Sequence, residues 1–412
     1  MCGNSTNVKS VAIFLAIALM ISGCSKKSSV TGPPGGTGSA TIYLDSTRQV
    51  IRGFGAANIV GWRPDMTAGE IQTAFGTGQG ELGFTIMRLR ISPDSTQFGI
   101  NIPSAKSASS MGVTIIASPW TPPAWMKSND NPVGGTLDTG AYAAYASHLK
   151  AFADTMSANE VSLYAISVQN EPDAGVTYES CYWNGTHFLN FMKNNAPSVG
   201  VPVFMPESMN FSHSFSDPAL NDPAAAANIA FIGGHIYGSS PSPYPLATGV
   251  GKEVWMTEYL DLDTTWNGVL RTAESMDDCM NAQMSAYVWW YIVRFYGPID
   301  ESGIVTKRGY VMSQYAKFIR PGFYRVGATA NPQSNISLTA YKNGSNVVIV
   351  VLNTGSTSIS QEFTIPNVSA SAFTPYVTSI RKNCVQGNSI PVSNGRFTAT
   401  LDSSSVTTFV SN

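Results

Sequence analysis

The chain is poor in charge. Of its 412 residues, 24 are Lys or Arg and 26 are Asp or Glu, so 12% are ionic and the formal net charge is -2. Soluble domains usually carry about 25% charged residues, so Ser, Thr, Asn, Gly and Tyr must keep much of this surface wet. Without a basic excess there is no electrostatic footprint for a nucleic-acid backbone. Only four histidines occur, little material for a histidine-rich metal centre. No cysteines stand at C-x-x-C or zinc spacing. No G-x-G-x-x-G follows the first apolar strand candidate, and Arg52-Gly53-Phe54-Gly55 has the wrong spacing for a dinucleotide fingerprint. What is present excludes disorder of the whole chain: 43% of residues are hydrophobic and 8 are Trp. The length accommodates one large barrel plus a smaller domain and is too great for a minimal binding module.

Lys9 precedes the apolar run Val11–Ile21, which leads into Ser22-Gly23-Cys24. The run is too short for an ordinary membrane span and has the length of a signal core. Residues 1–23 resemble a bacterial lipoprotein signal, cleaved before Cys24, whose sulfur would carry lipid and attach an exported protein to the outer membrane or cell surface. A simple secretory peptide cut elsewhere, or an uncleaved anchor, is the competing expectation. Residues 24–39, with Gly32-Pro33-Pro34-Gly35-Gly36, read as a flexible tether. Cys2 and Cys24 belong to this leader region. The remaining Cys181, Cys279 and Cys384 are an odd number, so at most one internal pair can form.

Short apolar strand candidates then alternate with helical stretches such as Tyr142–Met156. The candidates are Val50–Ala57, Thr85–Ile91, Val113–Ala117, Leu163–Val168, Val201–Met205, Ile229–His235, Glu253–Thr257 and Met284–Trp290. Eight of them predict a closed (β/α)8 TIM barrel over residues 50–321; a doubly wound open sheet is the competitor. After Arg320-Pro321-Gly322 the pattern changes. Ile336–Tyr341, Asn346–Asn353, Gln361–Ile365, Tyr376–Arg381 and Arg396–Leu401 are split by turn residues and predict an antiparallel β-sandwich side domain over residues 322–412. Residues 40–49, with the strand candidate Ala40–Leu44, precede the barrel and could pair with that side domain.

Glu171, in Gln169-Asn170-Glu171-Pro172, stands at the carboxyl end of the fourth barrel candidate, and Glu258 at the end of the seventh. In such a barrel both ends open onto one catalytic face. Two carboxyls there suit an acetal. A glycosidic oxygen leaves only when protonated, and the developing oxocarbenium carbon needs an anion, so one carboxyl must stay neutral and the other ionised. Either glutamate alone could be a helix cap or a salt-bridge partner. Arg88 and Arg90 share one strand face, and one of them, with Arg88 favoured, could hold Glu258 ionised.

With these residues in place the sequence resembles glycoside hydrolase family 30, and within it the bacterial glucuronoxylanase branch, over about residues 40–412. The resemblance is carried by Ile51-Arg52-Gly53-Phe54-Gly55, Ala117-Ser118-Pro119-Trp120-Thr121-Pro122-Pro123-Ala124-Trp125-Met126-Lys127, Val168-Gln169-Asn170-Glu171-Pro172, Gly234-His235-Ile236-Tyr237-Gly238, Trp255-Met256-Thr257-Glu258, Trp289-Trp290-Tyr291 and Lys307-Arg308-Gly309-Tyr310. It implies that Glu171 is the acid/base and Glu258 the nucleophile of a retaining mechanism, with carboxyls about 5–5.5 Å apart. It further implies that Asn170 hydrogen-bonds the sugar 2-hydroxyl and that Tyr237 orients Glu258. His235 is a plausible orienting residue near the nucleophile and equally a structural histidine.

Trp120, Trp125, Trp289 and Trp290 are candidate sugar platforms, since pyranose C–H faces pack on flat rings. Arg294 and Tyr296 match the pair with which the branch reads the carboxylate of a 4-O-methylglucuronic acid substituent, where a guanidinium can bind bidentately. Two departures bear on that reading: Val293 replaces a common arginine, and the Tyr259–Trp266 loop is short. The expectation is an exported, otherwise monomeric endo-β-1,4-xylanase acting on glucuronoxylan, needing no organic cofactor and no metal. The alternatives are a family relative acting on unbranched xylan or another β-glycan, and a lipoprotein that binds glycans without cleaving them.

Overall fold

The computed structural model describes residues 38–412. The expected signal, nearly all of the tether and Cys24 lie outside them. Among the described residues no helix is long and apolar enough to cross a membrane. Cys181, Cys279 and Cys384 are all free.

The first strand, β1 (Ser39–Val50), comes before the barrel. Eight parallel strands then close it: β2 (Gly53–Asn58), β3 (Ile86–Ile91), β4 (Thr114–Pro119), β5 (Leu163–Ser167), β6 (Val203–Ser208), β7 (Ile229–His235), β8 (Glu253–Glu258) and β9 (Ala286–Tyr291). The predicted strand positions hold to within a few residues. The largest differences are three residues, at the start, where Val50 belongs to β1 rather than to the barrel, and at the end of β6, which runs on to Ser208. Alternation fixes which side chains enter. On β3, Ile86 joins the interior layer of Ile116, Ala165, Phe204, Phe231, Trp255, Ala286 and Val288, while Met87, Leu89 and Ile91 face the helices. Stacked rings fill that interior, with Phe231 centred 4.4 Å from Phe204 and 4.0 Å from Trp255. Gly55 permits the tight β2–β3 contact, since a Cβ there would lie 1.9 Å from the Ile86 carbonyl oxygen.

The side domain is a single curled sheet rather than two separate antiparallel layers. Its strands are β10 (Tyr324–Ala328), β11 (Ile336–Asn343), β12 (Asn346–Asn353), β13 (Ile359–Thr364), β14 (Ala372–Ser379), β15 (Val385–Gln386), β16 (Ile390–Pro391), β17 (Arg396–Leu401) and β18 (Ser405–Ser411). They run in the order β15-β14-β18-β12-β11-β10-β1-β13-β17, with β16 on β14. Phe373 on β14 and Phe397 on β17 lie near opposite ends of that order, yet their rings stack 4.8 Å apart. The sheet has therefore rolled around its own core of Ile42, Leu338, Ile349, Phe363 and Phe409, giving a sandwich-like cross-section. The strictly antiparallel expectation fails at one place: β1 pairs antiparallel with β10 but parallel with β13. Tyr341, Val348, Val350, Leu352 and Val406, on the opposite face, join the barrel's helix-side core. Trp266 Nε1 also donates to the Ser404 carbonyl at 3.1 Å.

Candidate active site

The loop after β5 carries the first glutamate and is pinned residue by residue. Tyr145 Oη donates to the Val168 carbonyl at 2.7 Å, Gln169 Nε2 to the Trp120 carbonyl at 2.7 Å, the Asn170 amide to Pro119 at 2.8 Å and the Glu171 amide to Glu207 at 3.0 Å. Glu171 and Glu207 both adopt left-handed backbone, with φ of 45° and 54°, a conformation costing of order 1 kcal/mol or more for a side-chain-bearing residue. The cost is met by these bonds, and the result is a carboxyl held over the barrel mouth. Glu258 ends β8 directly.

A carboxylate oxygen of Glu171 and one of Glu258 lie within 4.8 Å of each other. Both residues are buried, at 7% and 6% exposure. Arg88, fully buried on β3, links the site: Nη1 donates to Glu258 Oε2 at 2.7 Å, Nη2 to Asn170 Oδ1 at 2.6 Å and Nε to Ser118 Oγ at 3.1 Å. Tyr237 Oη donates to the other Glu258 oxygen at 2.9 Å. Of the two strand-sharing arginines, Arg88 is thus the one in contact with the acids. Arg90 turns to Glu179, with Nε 3.0 Å from Oε2.

A third carboxyl, Glu207 at the end of β6, was not singled out in the sequence. It is wholly buried, and Arg88 Nη2 lies 3.1 Å from its Oε1, an ion pair without the alignment of a hydrogen bond. His235 Nδ1 lies 3.0 Å from Glu171 Oε1 and 3.9 Å from Glu258, and its Nε2 is 3.7 Å from Glu207. His235 thus meets Glu171 most closely and also faces Glu258, whose charge acts on it. Burial opposes its charge, yet Glu258, Glu171 and Glu207 together push its pKa up to about 9. Burial likewise opposes ionisation of Glu207, but Arg88 and then His235 hold it down at about 2. For Glu171, burial raises the pKa first of all, and the His235 hydrogen bond only partly opposes that rise.

Two buried cations, Arg88 and His235, face the acids, and burial first of all makes the Glu171 carboxyl favour its proton. His235 occupies Oε1 of Glu171, which leaves Oε2 to carry it. The donor atoms of Glu171, His235 and Glu258 are close enough to hold a cation. Such an ion would have to displace protons from His235 and Glu171 and sit beside Arg88, a poor fit.

Around the acids, Trp120 forms a buried floor. It packs 5.2 Å from Trp62 and 5.7 Å from Trp290, with Arg88 4.9 Å above its ring. Trp62 and Tyr178, each 39% exposed and 6.1 Å apart, extend this aromatic wall, and neither stood out in the sequence. Trp125 sits on the single 3-10 turn Ala124–Met126 after β4, 68% exposed. The platform expectation fails for Trp289: alternation on β9 sends Val288 into the barrel, so Trp289 points out to Arg308 and Tyr259 at 4.7 and 5.8 Å and is fully buried.

Beyond β9, Arg294 is half-buried and its Nη1 donates to Glu301 at 3.0 Å. Tyr296 is buried beside it, and its carbonyl accepts from Arg308 at 2.6 Å. The short loop after Glu258 is tied down by Arg271, which bonds Asp261 and Asp263 at 2.8 Å each.

Residues 82–249 match the glycosyl hydrolase family 30 TIM-barrel domain. Glucuronoxylanase XynC of Bacillus subtilis is 43% identical over 387 residues, covering 90% of this chain and 91% of that protein. The chain belongs to glycoside hydrolase family 30. Two solved family 30 enzymes share the whole fold. The endoxylanase from Clostridium papyrosolvens C71 is 40% identical with a TM-score of 0.84, and the subfamily 8 xylanase Xyn30A from Clostridium acetobutylicum is 38% identical with a TM-score of 0.87. Each is covered completely by 91% of this chain. Membership in family 30 agrees with the barrel, the curled side sheet and the order of the sequence motifs. Glu207 could have been found by the rule that found Glu171 and Glu258, since it too is a carboxylate just past an apolar strand candidate.

Proposed function

We propose that this family 30 protein is a retaining endo-β-1,4-xylanase that cleaves glucuronoxylan. The observation that carries the proposal is the buried carboxyl pair, with an oxygen of one within 4.8 Å of an oxygen of the other, against the roughly 6.5–9.5 Å between carboxyls with which an inverting enzyme admits water between its acids. Glu258, gripped by Arg88 and Tyr237, attacks the xylose anomeric carbon. Glu171 gives its proton to the departing glycosidic oxygen. The C1–O bond to the leaving chain breaks as the Glu258–C1 ester forms. Glu171, now ionised, takes a proton from water, whose oxygen attacks C1 and releases Glu258. Asn170, oriented by Arg88 through Oδ1, presents its amide nitrogen to the 2-hydroxyl.

Arg294 and Tyr296 are the proposed readers of the glucuronic acid branch, in keeping with the similarity to a protein described as a glucuronoxylanase. The carboxylate of the branch would take the place of Glu301 on Arg294. That internal ion pair, with the short Tyr259–Trp266 loop, also favours a second reading in which unbranched xylan is cleaved as well. Product analysis on glucuronoxylan and on debranched xylan decides between them. Defined aldouronic products with weak cleavage of debranched chains support branch-directed hydrolysis, whereas equal rates refute it. Arg294→Ala is expected to weaken hydrolysis of the branched substrate selectively. The proposed export and lipid attachment at Cys24 rest on the leader pattern; intact-protein mass spectrometry of the mature chain tests the attachment, and an amino terminus beyond Cys24 without lipid excludes it in favour of a simple secretory peptide.

A further inference from the structure

A polar pocket of about 400 Å³ lies between β1, β10 and the turn leading into β9. Tyr43, Ser46, Arg48, Asn281, Gln283 and Arg325 line it. Asn281 and Gln283 precede β9, so the pocket sits at the amino ends of the barrel strands, opposite the carboxyl pair. The backbone opens it: β1 breaks register with β10 between Tyr43 and Thr47 and again between Thr47 and Val50, and such bulges re-aim side chains.

Neither of its guanidiniums has a carboxylate in direct contact: the acid that acts on Arg325 is the buried Asp277, reached through Asn281, whose amide nitrogen donates to Asp277 Oδ2 at 3.1 Å. Arg325 is 8% exposed, its Nε has no hydrogen-bond partner, and its Nη2 has only the Asn281 side-chain oxygen. Arg48 is exposed and near enough to repel it. Among the described residues neither arginine forms an ion pair. A buried guanidinium whose nearest carboxylate acts only through an intervening amide keeps donors to spare, and two facing one cavity make a fork for a planar oxyanion. Tyr43, 51% exposed on the rim, offers a flat ring beside them, which suits a sugar face rather than an inorganic ion.

We propose that this pocket is a second carbohydrate site, remote from catalysis, that binds the carboxylate of a uronic acid. A branch on the xylan chain is its source; that source rests on the function proposed above, while the carboxylate chemistry does not. The pocket would hold the polysaccharide by a branch while the cleft works on another segment.

The test uses the full chain carrying Glu258→Gln and Arg294→Ala, which stops hydrolysis and removes the cleft arginine. Glucuronic acid titrated by calorimetry is expected to bind saturably, roughly tenfold more weakly when Arg48→Ala is added and not at all with Arg325→Gln. Arg48 is exposed, so its variant keeps the test valid should Arg325→Gln fail to fold. No saturable binding, binding insensitive to Arg48→Ala, or tighter binding of inorganic phosphate than of glucuronic acid overturns the carboxylate site. In gels containing glucuronoxylan, Arg48→Ala is expected to reduce retardation, with no change in gels of debranched xylan. Equal retardation in both overturns the polysaccharide as source. Failure to cleave glucuronoxylan would instead sink the proposed function and leave the glucuronic acid titration to be judged alone.

Discussion

Replacing His235 by Asn separates charge from hydrogen bonding in the pairing that sets the acid. The Asn amide can stand where Nδ1 now meets Glu171 at 3.0 Å, so a donor remains and a cation is lost. Hydrogen bonds to charged partners contribute about 1.5–3 kcal/mol and neutral ones about 0.5–1.5 kcal/mol. The difference, about 1 kcal/mol, is a little under one pH unit at about 1.36 kcal/mol per unit. His235, with its pKa pushed up to about 9, faces Glu171 as a cation at neutral pH. It therefore favours the ionised form of Glu171, and its removal makes the carboxyl hold its proton to higher pH. The alkaline limb of kcat/KM on xylan, which reports the free enzyme, is expected to move up by about one unit, with the circular dichroism spectrum unchanged. A fixed limb, or one moving down because water enters beside the smaller side chain, would refute the view that the His235 charge sets the acid.

Glu171→Gln should lower kcat by about 10²–10⁴-fold, and Glu258→Gln should leave only background hydrolysis, both measured by reducing-sugar release with the fold intact. Arg88→Met strands Glu207 and Glu258 without their guanidinium; a loss of about 3–5 kcal/mol is expected by urea unfolding, and a loss below 1 kcal/mol would show that the two acids relax into water. Glu207 has a folded pKa near 2 against an ordinary 4.5, so its contribution to stability is present above pH 4.5 and fades as pH falls toward 2. Glu207→Gln should flatten the fall of the urea midpoint over that window, and an unchanged slope would place the acid sensitivity elsewhere. Gly55→Ala drives a methyl into the Ile86 carbonyl and should cost at least about 1–3 kcal/mol by thermal unfolding.

The barrel was readable because its strands are short apolar runs, most of them ending in polar residues at the mouth, with glutamates at Glu171, Glu207 and Glu258 among these. The side sheet was harder. The strands Tyr324–Ala328 and Ser405–Ser411 were missed because Gly327 and the Ser/Thr-rich end dilute their apolar alternation. Nothing local distinguishes the parallel pairing of β1 with β13 from an antiparallel one, since both bury the same face. At the site, Arg88 was found by strand periodicity, whereas Trp62 and Tyr178 come from separate loops and meet the wall of Trp120 and Trp290 only in three dimensions. Trp289 and Trp290 show the limit of motif reading: adjacent residues on a strand face opposite ways, and only the closed barrel says which is inside.

The strand that precedes the barrel has an inheritance consequence. Because Ser39–Val50 is held between β10 and β13, near the far end of the chain, and passes almost at once into β2, the side sheet cannot be shed like an accessory module. A stop codon after the last barrel helix would leave that early strand with neither neighbour and a row of bare amides on display. Recombination could exchange the leader, but it must move the rest as one piece.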